Sequence, residues 1–369
     1  MNNSHYTILT LDAGGTNLVF HALDEHHTTV ASITLPAPAA DLDTLLNRLV
    51  EGFTTINQQS GNLAVAISFC FPGPADYQLG IIGDLENLPL FRNGVALKAF
   101  LETTFNLPVF INNDGDLFAL GEAMNGLLPA VNKQLRQNNN TKQYKNLLGV
   151  TLGTGFGAGI VLDGKLLLGD NSAGAEINRM SNPAKMNQSV EEVLSIRGIQ
   201  RIFAEKANLD LTAVPPPFDI YRIGKGEMVG NTAAALAAWD YFGTILGEVL
   251  ANAITLIDGL VVIGGGLSGA WPLFLPKAVE TMNGRFFKPN GQTLPRMEVF
   301  AYNLHNTDCA KDFVKNDEIK ITVPQSEKTV TYQPIKKIGV GVSILGTSEA
   351  VAIGAQAFAK SSLGSELEG

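Results

Sequence analysis

Cysteine is scarce in this sequence: the 369 residues include two, Cys70 and Cys309. Two cysteines cannot form a disulfide framework or supply a cysteine-based zinc site. Charged residues make up only 17% of the chain, and 35 acidic residues against 26 basic ones give a net charge of −9. Such a chain lacks the basic surface that attracts a phosphate backbone, which argues against a nucleic-acid partner. No signal peptide is recognisable, and we therefore predict a cytoplasmic location.

Long uncharged stretches are present, but glycine and proline interrupt them. Residues 259–276 contain no charged side chain, which satisfies the length requirement for a membrane helix. They also contain five glycines and two prolines, a composition typical of a strand, a tight turn and the start of a helix. We therefore predict no transmembrane segment and no membrane partner. The length and the hydrophobic content of 45% favour two domains.

Strands and helices alternate along the chain, which is typical of an α/β architecture. The first third begins with two short apolar runs joined by a glycine-rich turn, which predicts an antiparallel hairpin. The predicted strands include Tyr6–Leu11, Asn17–Leu23, Val30–Leu35, Ala64–Phe69, Val109–Asn112 and Leu260–Ile263. The predicted helices include Asp41–Ile56, Val95–Phe105, 115–126, Val190–Ala207, Asn231–Ile257 and Thr347–Ala359. We also predict an exposed loop over Gln134–Lys145 and a solvent-facing hairpin near Ile319–Tyr332.

Two segments of the chain resemble each other. Thr10–Thr16 (TLDAGGT) and Thr151–Gly157 (TLGTGFG) each place a turn rich in glycine and threonine between two apolar runs. This duplication predicts two domains of related fold that face each other across a cleft, unless two glycine-rich hairpins are alike by chance. Backbone N–H groups and threonine hydroxyls of two such turns would cradle a polyphosphate, whereas each turn alone is also compatible with a plain hairpin. The sequence contains no P-loop motif.

Asn113 and Asp114 follow a short predicted strand and precede a helix. Ligands of α/β folds bind at the carboxyl ends of strands. At such a position Asp114 could accept a proton from a substrate hydroxyl while Asn113 hydrogen-bonds a neighbouring hydroxyl. The alternative is that the aspartate only caps the helix that follows.

Six motifs occur in order along the chain: Leu11–Asn17 (LDAGGTN), Phe71–Pro74 (FPGP), Asn87–Pro89 (NLP), Asn113-Asp114, Leu152–Gly159 (LGTGFGAG) and Ile263–Leu267 (IGGGL). In this combination the sequence resembles the ROK family of bacterial sugar kinases and sugar-responsive repressors. The resemblance implies a two-domain actin-like ATPase (ribonuclease H-like) fold with a duplicated β-hairpin-containing sheet and an interdomain cleft. It implies a smaller domain over 1–117 and 348–362, a larger domain over 118–347, and a tail over 363–369.

The resemblance also implies an ATP site in which Asp12 helps to place magnesium and two turns bind the phosphates. A third turn, which begins at Gly264, would lie beside the adenosine. The implied ATP-binding residues are Asp12, Gly14, Gly15, Thr16, Asn17, Gly153, Thr154, Gly155, Gly264, Gly265, Gly266 and Leu267.

Sugar binding is implied for Gly73, Asn113, Asp114, Glu176, Arg179 and Glu191, with Asp114 as the catalytic base. Arg179 stands where the family has a histidine, and 181–188 lacks the cysteine-rich zinc motif of the family. We therefore expect no zinc. Because Glu176 lies three residues before Arg179, we also expect these two side chains to form an ion pair. The alternative is that Arg179 favours a substrate with an anionic or strongly polar substituent.

The resulting hypothesis is a homodimeric, ATP- and magnesium-dependent kinase of a hexose. Glucose is the first candidate, and an N-acyl hexosamine and fructose remain open. Two other hypotheses are a sugar-sensing repressor, which would carry a DNA-binding segment before the first hairpin, and a sugar-binding pseudokinase. The segment 283–337 has no function that its sequence indicates.

Overall fold

A computed structural model of the chain describes residues 6–13, 16–71, 73, 75–83 and 89–364. Within these ranges the helices are α1 (Leu42–Gln59), α2 (Leu97–Phe105), α3 (Asp114–Met124), α4 (Leu127–Gln137), α5 (Ile196–Ala207), α6 (Pro217–Gly224), α7 (Thr232–Ile257), α8 (Trp271–Met282), α9 (Thr307–Val314) and α10 (Thr347–Leu363).

The strands in the same ranges are β1 (Thr7–Ala13), β2 (Asn17–Asp24), β3 (Thr29–Pro36), β4 (Ala64–Cys70), β5 (Ala75–Asp76), β6 (Ile81–Ile82), β7 (Val95–Ala96), β8 (Val109–Asn112), β9 (Leu147–Leu152), β10 (Phe156–Leu162), β11 (Lys165–Leu166), β12 (Ser181–Asn182), β13 (Lys185–Ser189), β14 (Leu260–Gly264), β15 (Arg285–Phe287), β16 (Thr293–Pro295), β17 (Phe300–Asn303), β18 (Ile319–Thr322), β19 (Thr329–Tyr332) and β20 (Lys337–Val342).

The chain divides into two compact units. Unit 1 comprises Met1–Gly126, Gly159–Ala175 and Leu345–Gly369, and unit 2 comprises Leu127–Ala158 and Glu176–Ile344. The units are defined by packing alone. The domain bounds expected from the sequence, 1–117 with 348–362 and 118–347, therefore remain a prediction.

Unit 1 is built on a five-stranded sheet with the order β3-β2-β1-β4-β8. The first two strands form the predicted antiparallel hairpin, in which Thr7 pairs with Asp24 and Ala13 with Leu18. β4 then runs parallel to β1, and β8 runs parallel to β4. Because these three strands are parallel, their carboxyl ends lie at one edge of the sheet, where ligands of α/β proteins bind.

Helix α1 covers the hydrophobic core of this sheet. It begins at the N-cap Asp41, whose side chain accepts a hydrogen bond from the backbone N–H of Thr44. Apolar residues at helical spacing turn one face inward, and Phe53 of that face meets Phe20 of β2 edge-on, with ring centroids 5.1 Å apart. Phe69 of β4 completes the aromatic contact.

Helices α3 and α10 pack together closely in unit 1 because small residues line their contact. A Cβ atom at Gly121 would collide with the carbonyl oxygen of Ala350, and one at Gly354 would collide with that of Leu117. The hydroxyl of Ser68 on β4 also donates a hydrogen bond of 2.7 Å to the carbonyl of Ala355. The helix near the C-terminus thereby fixes the position of α3, the helix that begins at Asp114.

Unit 2 contains a parallel arrangement of strands in the order β9-β14-β20-β17. The long helix α7 packs on α8 through an aromatic cluster of Trp239, Phe242 and Phe274. In β9 and β14, Thr151 pairs with Gly264. The turns that follow these two strands therefore begin side by side.

The α/β fold class predicted from the sequence is confirmed. The antiparallel hairpin near the C-terminal end is also observed, with Ile319 paired to Tyr332. The loop predicted over Gln134–Lys145 is wrong for its first residues, because helix α4 continues to Gln137 and buries Val131 and Leu135 one turn apart. No helix in the described ranges combines the length and the apolar character that a membrane crossing demands.

The helix predicted over Val190–Ala207 is wrong in its first turns. Residues Val190–Glu192 form a short 3-10 turn, and α5 begins only at Ile196. Ser195 is responsible for the break, since its side chain accepts a hydrogen bond from the N–H of Gly198 as an N-cap. Its hydroxyl also donates to the carbonyl of Glu191, at 2.7 Å.

Candidate active site

Asp12 and Asp114 lie at the carboxyl edge of the unit 1 sheet. Asp12 is the next-to-last residue of β1, and Asp114 is the first residue of α3, directly after β8 and Asn113. The structure therefore brings together two carboxylates that are about a hundred residues apart in the sequence. Gly14 and Gly15, which the sequence analysis placed beside them, lie outside the described residues, as do Asn87 and Leu88.

Asn113, rather than Asp114, is the N-cap of α3. Its side-chain oxygen accepts a hydrogen bond of 2.8 Å from the N–H of Gly115, and the Asp114 carboxylate accepts from the same N–H at 2.9 Å. The amide nitrogen of Asn113 donates to the hydroxyl of Tyr77, at 3.3 Å. Because Asn113 caps the helix, the Asp114 carboxylate can still accept hydrogen bonds from another partner.

Gly73 lies beside this group. The Tyr77 hydroxyl donates to the carbonyl of Phe71, and a Cβ atom at Gly73 would collide with that hydroxyl. Tyr77 was not predicted from the sequence, because its contacts with Phe71 and Asn113 form only after the chain folds. It holds the amide of Asn113 in place next to Gly73.

Electrostatics distinguishes Asp114 from an ordinary surface aspartate. The residue is open to solvent, but protein atoms packed around its carboxyl raise its pKa by desolvation. The N–H groups of Gly115 and of Asp114 itself oppose this rise, and repulsion from Asp12 adds to it. A raised pKa strengthens a carboxylate as a base, which is the property that general-base catalysis requires.

Cys70 lies close to both carboxylates at the end of β4. Its thiol is fully buried, and burial raises its pKa well above the ordinary range, with further contributions from Asp114 and then Asp12. The thiol is therefore neutral and unreactive. Cys70 is thus a buried, inert neighbour of the two acidic residues.

The Asp12 carboxylate fits a divalent cation. Within the described ranges no ion pair involves Asp12 or Asp114, and no group of three or more histidine, cysteine or acidic side chains forms a metal cluster. The Asp12 carboxylate at this sheet edge is suited to magnesium, which binds one or two carboxylates together with phosphates of a substrate. Thr16 and Asn17 lie exposed at the start of β2.

Two glycine-rich turns adjoin each other in unit 2. In the first, the N–H of Gly153 donates to the carbonyl of Gly155 at 3.0 Å, between β9 and the start of β10. In the second, Gly265 has a φ of +85°, and the N–H of Leu267 donates to the carbonyl of Leu152 at 2.9 Å. A side chain at Gly265 would collide with the Leu152 backbone, so glycine is required there.

These turns leave room for a ligand. A Cβ atom at Gly153 or at Gly266 would meet no other atom within 4 Å, and Thr154 is exposed. The backbone N–H groups of the turns can therefore be approached closely by an anion. Gly264, Gly266 and Leu267 thus lie next to the Gly153–Gly155 turn.

Glu176 precedes the 3-10 turn Ile177–Arg179 and Arg179 is its last residue; both are exposed. The expected ion pair between them is wrong: among the ion pairs of the described residues none includes Arg179, although its N–H donates to the carbonyl of Glu176 at 3.1 Å. The tight 3-10 turn fixes this backbone contact and leaves the guanidinium available to other groups. The N–H of Val190 donates to Met180, which joins this segment to the one that carries Glu191.

Glu191 is the most firmly held of the predicted sugar-binding residues. One carboxylate oxygen accepts a hydrogen bond of 3.1 Å from the N–H of Phe156, directly after the first turn. The other oxygen accepts from Arg197, at 2.9 Å. The neighbouring Glu192 is paired with Arg201 at 2.9 Å and with Arg197 at 3.3 Å. The arginines were not singled out from the sequence, because their partners lie across the Ser195 break.

Comparison with known proteins identifies the family. A model of the ROK family matches residues 8–299. The glucokinase of Parabacteroides distasonis ATCC 8503 has a crystal structure that is 48% identical in sequence, covers 97% of this chain and 98% of its own, and superposes with a TM-score of 0.87.

More distant relatives agree with this match. An N-acetyl-D-glucosamine kinase of Photobacterium profundum is 29% identical over 288 residues, which are 73% of this chain and 87% of that protein. The ROK hexokinase of Thermus thermophilus shares the fold at 18% identity, with a TM-score of 0.66 and coverage of 95% of this chain and 96% of its own. The chain therefore belongs to the ROK family.

Proposed function

We propose that this protein is an ATP-dependent sugar kinase that transfers the γ-phosphoryl group of ATP to a hydroxyl of a hexose, with glucose as the first candidate. The observation that carries the proposal is the Asp114 carboxylate, which has a raised pKa, is not needed as a helix cap, and lies beside Asp12. Similarity to a glucokinase at 48% identity supports glucose as the substrate.

Asp114 acts as the general base in this proposal. The attacking sugar hydroxyl becomes a stronger nucleophile as its proton passes to the Asp114 carboxylate. Asn113 orients the sugar: its oxygen is engaged by Gly115 and one amide hydrogen by Tyr77, which leaves the second amide hydrogen to donate to a sugar hydroxyl. Gly73, Glu176, Arg179 and Glu191 are the other proposed sugar contacts.

ATP, bound with magnesium, supplies the phosphoryl group that is transferred. Asp12 would hold the magnesium, the backbone of Gly153, Thr154 and Gly155 would bind phosphate oxygens, and Gly264–Leu267 would lie beside the adenosine. Gly14, Gly15, Thr16 and Asn17 are proposed to form the second phosphate turn. Most of the rate gain in phosphoryl transfer comes from positioning and charge stabilisation, which rigid backbone donors provide.

A second substrate class has support from the comparisons. Several relatives at 26–29% identity are N-acetyl-D-glucosamine kinases, including those of Photobacterium profundum and Yersinia enterocolitica. An N-acyl hexosamine is therefore the second candidate. Cytoplasmic location and a homodimeric state remain predictions.

A coupled assay of ADP release tests the proposal. Glucose, N-acetylglucosamine, N-acetylmannosamine and fructose would each be supplied with ATP and magnesium. We expect turnover with glucose to exceed that with the other sugars. Turnover with N-acetylglucosamine alone would replace glucose by the second candidate, and no turnover with any sugar would favour a protein that binds sugar without phosphorylating it.

A further inference from the structure

One short segment of the chain forms two hydrogen bonds with the Gly153–Gly155 turn and its next residue. The N–H of Ile196 donates to the carbonyl of Gly153 at 2.8 Å, and the N–H of Phe156 donates to Glu191 at 3.1 Å. Both anchors come from the stretch between the 3-10 turn at Val190–Glu192 and the start of α5. The conformation of the turn therefore depends on where this stretch places the Glu191 carboxylate.

Arg197 fixes that carboxylate on its other side. Its guanidinium lies 2.9 Å from the second oxygen of Glu191 and 3.3 Å from Glu192. A Cβ atom at Gly155 would come within 2.9 Å of the first oxygen, so the absence of a side chain there is what admits the carboxylate. Glu191 is thus held between the turn and the guanidinium.

The position of Arg197 is unfavourable for helix stability, which indicates a specific role. It is the second residue of α5, and no acidic residue lies in the first turn of that helix. A cation near a helix N-terminus is repelled by the helix dipole. The contacts with Glu191 and Glu192, both made by one terminal nitrogen of the guanidinium, offset this repulsion.

We propose that Arg197 is a positioning residue that keeps Glu191 bonded to the turn, so that Glu191 links sugar binding to the conformation of the turn that receives the ATP phosphates. This inference rests on the proposed function, in which Glu191 contacts the sugar and Gly153–Gly155 contact ATP. Arg197 itself touches neither substrate in the proposal. Its effect passes through the Glu191 carboxylate and the Phe156 N–H.

The chain offers a matched control for this proposal. Arg201 lies one turn further along α5 and pairs with Glu192 at 2.9 Å, but it has no contact with Glu191 among the described ion pairs. Arg201 also donates to the backbone carbonyl of Glu192. Arg201→Gln therefore removes a similar charge from the same helix but leaves both hydrogen bonds of the Glu191 carboxylate in place. Arg197→Gln removes the guanidinium that holds Glu191, and Arg197→Lys keeps the charge with a less exact fit.

The first measurement is hydrogen exchange of the segment 152–158 in the ligand-free protein, which does not depend on catalysis. We expect faster exchange in Arg197→Gln by about 3- to 10-fold, the loss typical of one partly exposed charged hydrogen bond. Arg201→Gln should exchange like the wild type, and Arg197→Lys should lie between. Equal exchange in Arg197→Gln and Arg201→Gln would overturn the proposal.

The second measurement is steady-state kinetics with the best sugar substrate. A loosened turn should raise KM for ATP by about 3- to 10-fold in Arg197→Gln and reduce the ability of sugar to tighten ATP binding, whereas Arg201→Gln should change neither. A loss confined to thermal stability, with KM for ATP unchanged, would contradict the coupling. If no variant and no wild type phosphorylates a sugar, the proposed function fails, while faster exchange in Arg197→Gln would still establish the anchor.

Discussion

At the scale of single residues, Asp12 and Asp114 are unusual because their two carboxylates lie close enough to repel each other. The Asn113 side chain caps α3, so the acidic residue that follows it is not needed for that purpose. Repulsion from Asp12 and desolvation both favour the protonated form of Asp114. Proteins retain such unfavourable carboxyl groups at sites where they bind or react.

The raised pKa of Asp114 predicts an acid limb in the pH profile. The base must be ionised, so kcat/KM for the sugar should fall tenfold per pH unit as the pH drops below the pKa of this carboxyl. Because the pKa is raised, the fall should begin above 3.8, the usual value of an aspartic acid. The check is kcat/KM across the pH range in which the protein remains folded, monitored in parallel by circular dichroism. An activity that stays constant down to pH 4 would contradict the role of Asp114.

Sequence reasoning could find the residues of this site but not all their neighbours. Three site residues can be recognised from the sequence, because each lies at the end of an apolar run and belongs to a motif: Asp12, Asn113 and Asp114. Tyr77 and Arg197 act through contacts across turns and breaks, and nothing in their local sequence indicates those partners. The expected ion pair between Glu176 and Arg179 does not form, because a spacing of three residues brings side chains together in an α-helix and this segment is a 3-10 turn.

At the scale of elements, α3 is placed by its contact with α10. Two glycines allow the helix backbones to approach, and Ser68 ties α10 to β4. The strand and helix types were predictable from hydrophobic spacing. The break before α5 was not, because the spacing of apolar residues continues through it while Ser195 makes the hydrogen bond that ends the earlier turn.

This contact predicts the effect of Gly121→Ala. Alanine is the better helix former, yet its Cβ atom would collide with the carbonyl of Ala350 and separate α3 from α10. We expect a loss of about 1–3 kcal/mol in the free energy of unfolding, together with lower kcat because α3 carries Asp114. Denaturant unfolding would measure it, with Ser361→Ala on the exposed side of α10 as the control. Wild-type stability in Gly121→Ala would show that the helices are not tightly packed.

At the scale of the whole molecule, we propose that this ROK-family protein uses magnesium and needs no zinc. The segment 181–188 has no cysteine or histidine, whereas Asp12 offers an oxygen ligand of the kind that magnesium prefers.

The metal prediction can be tested on the purified protein. Elemental analysis should find no stoichiometric zinc, and EDTA should abolish turnover without lowering Tm by more than about 2 °C, because no structural metal is removed. Adding magnesium back in excess should restore turnover. Zinc at one atom per chain, or unfolding in EDTA, would refute the prediction.

The central claim is that Asp114 is the base of a sugar kinase, and Asp114→Asn tests it most directly. Asparagine keeps the shape and cannot accept the proton, so kcat should fall by about 10²–10⁴ while sugar binding is largely kept. The raised pKa means that the ionised carboxyl opposes folding at neutral pH, so Tm of Asp114→Asn should equal or exceed that of the wild type. The single measurement is kcat of this variant at neutral pH, with Tm recorded on the same sample. Near-normal kcat would contradict the mechanism, and so would a low kcat that is explained by a fall in Tm.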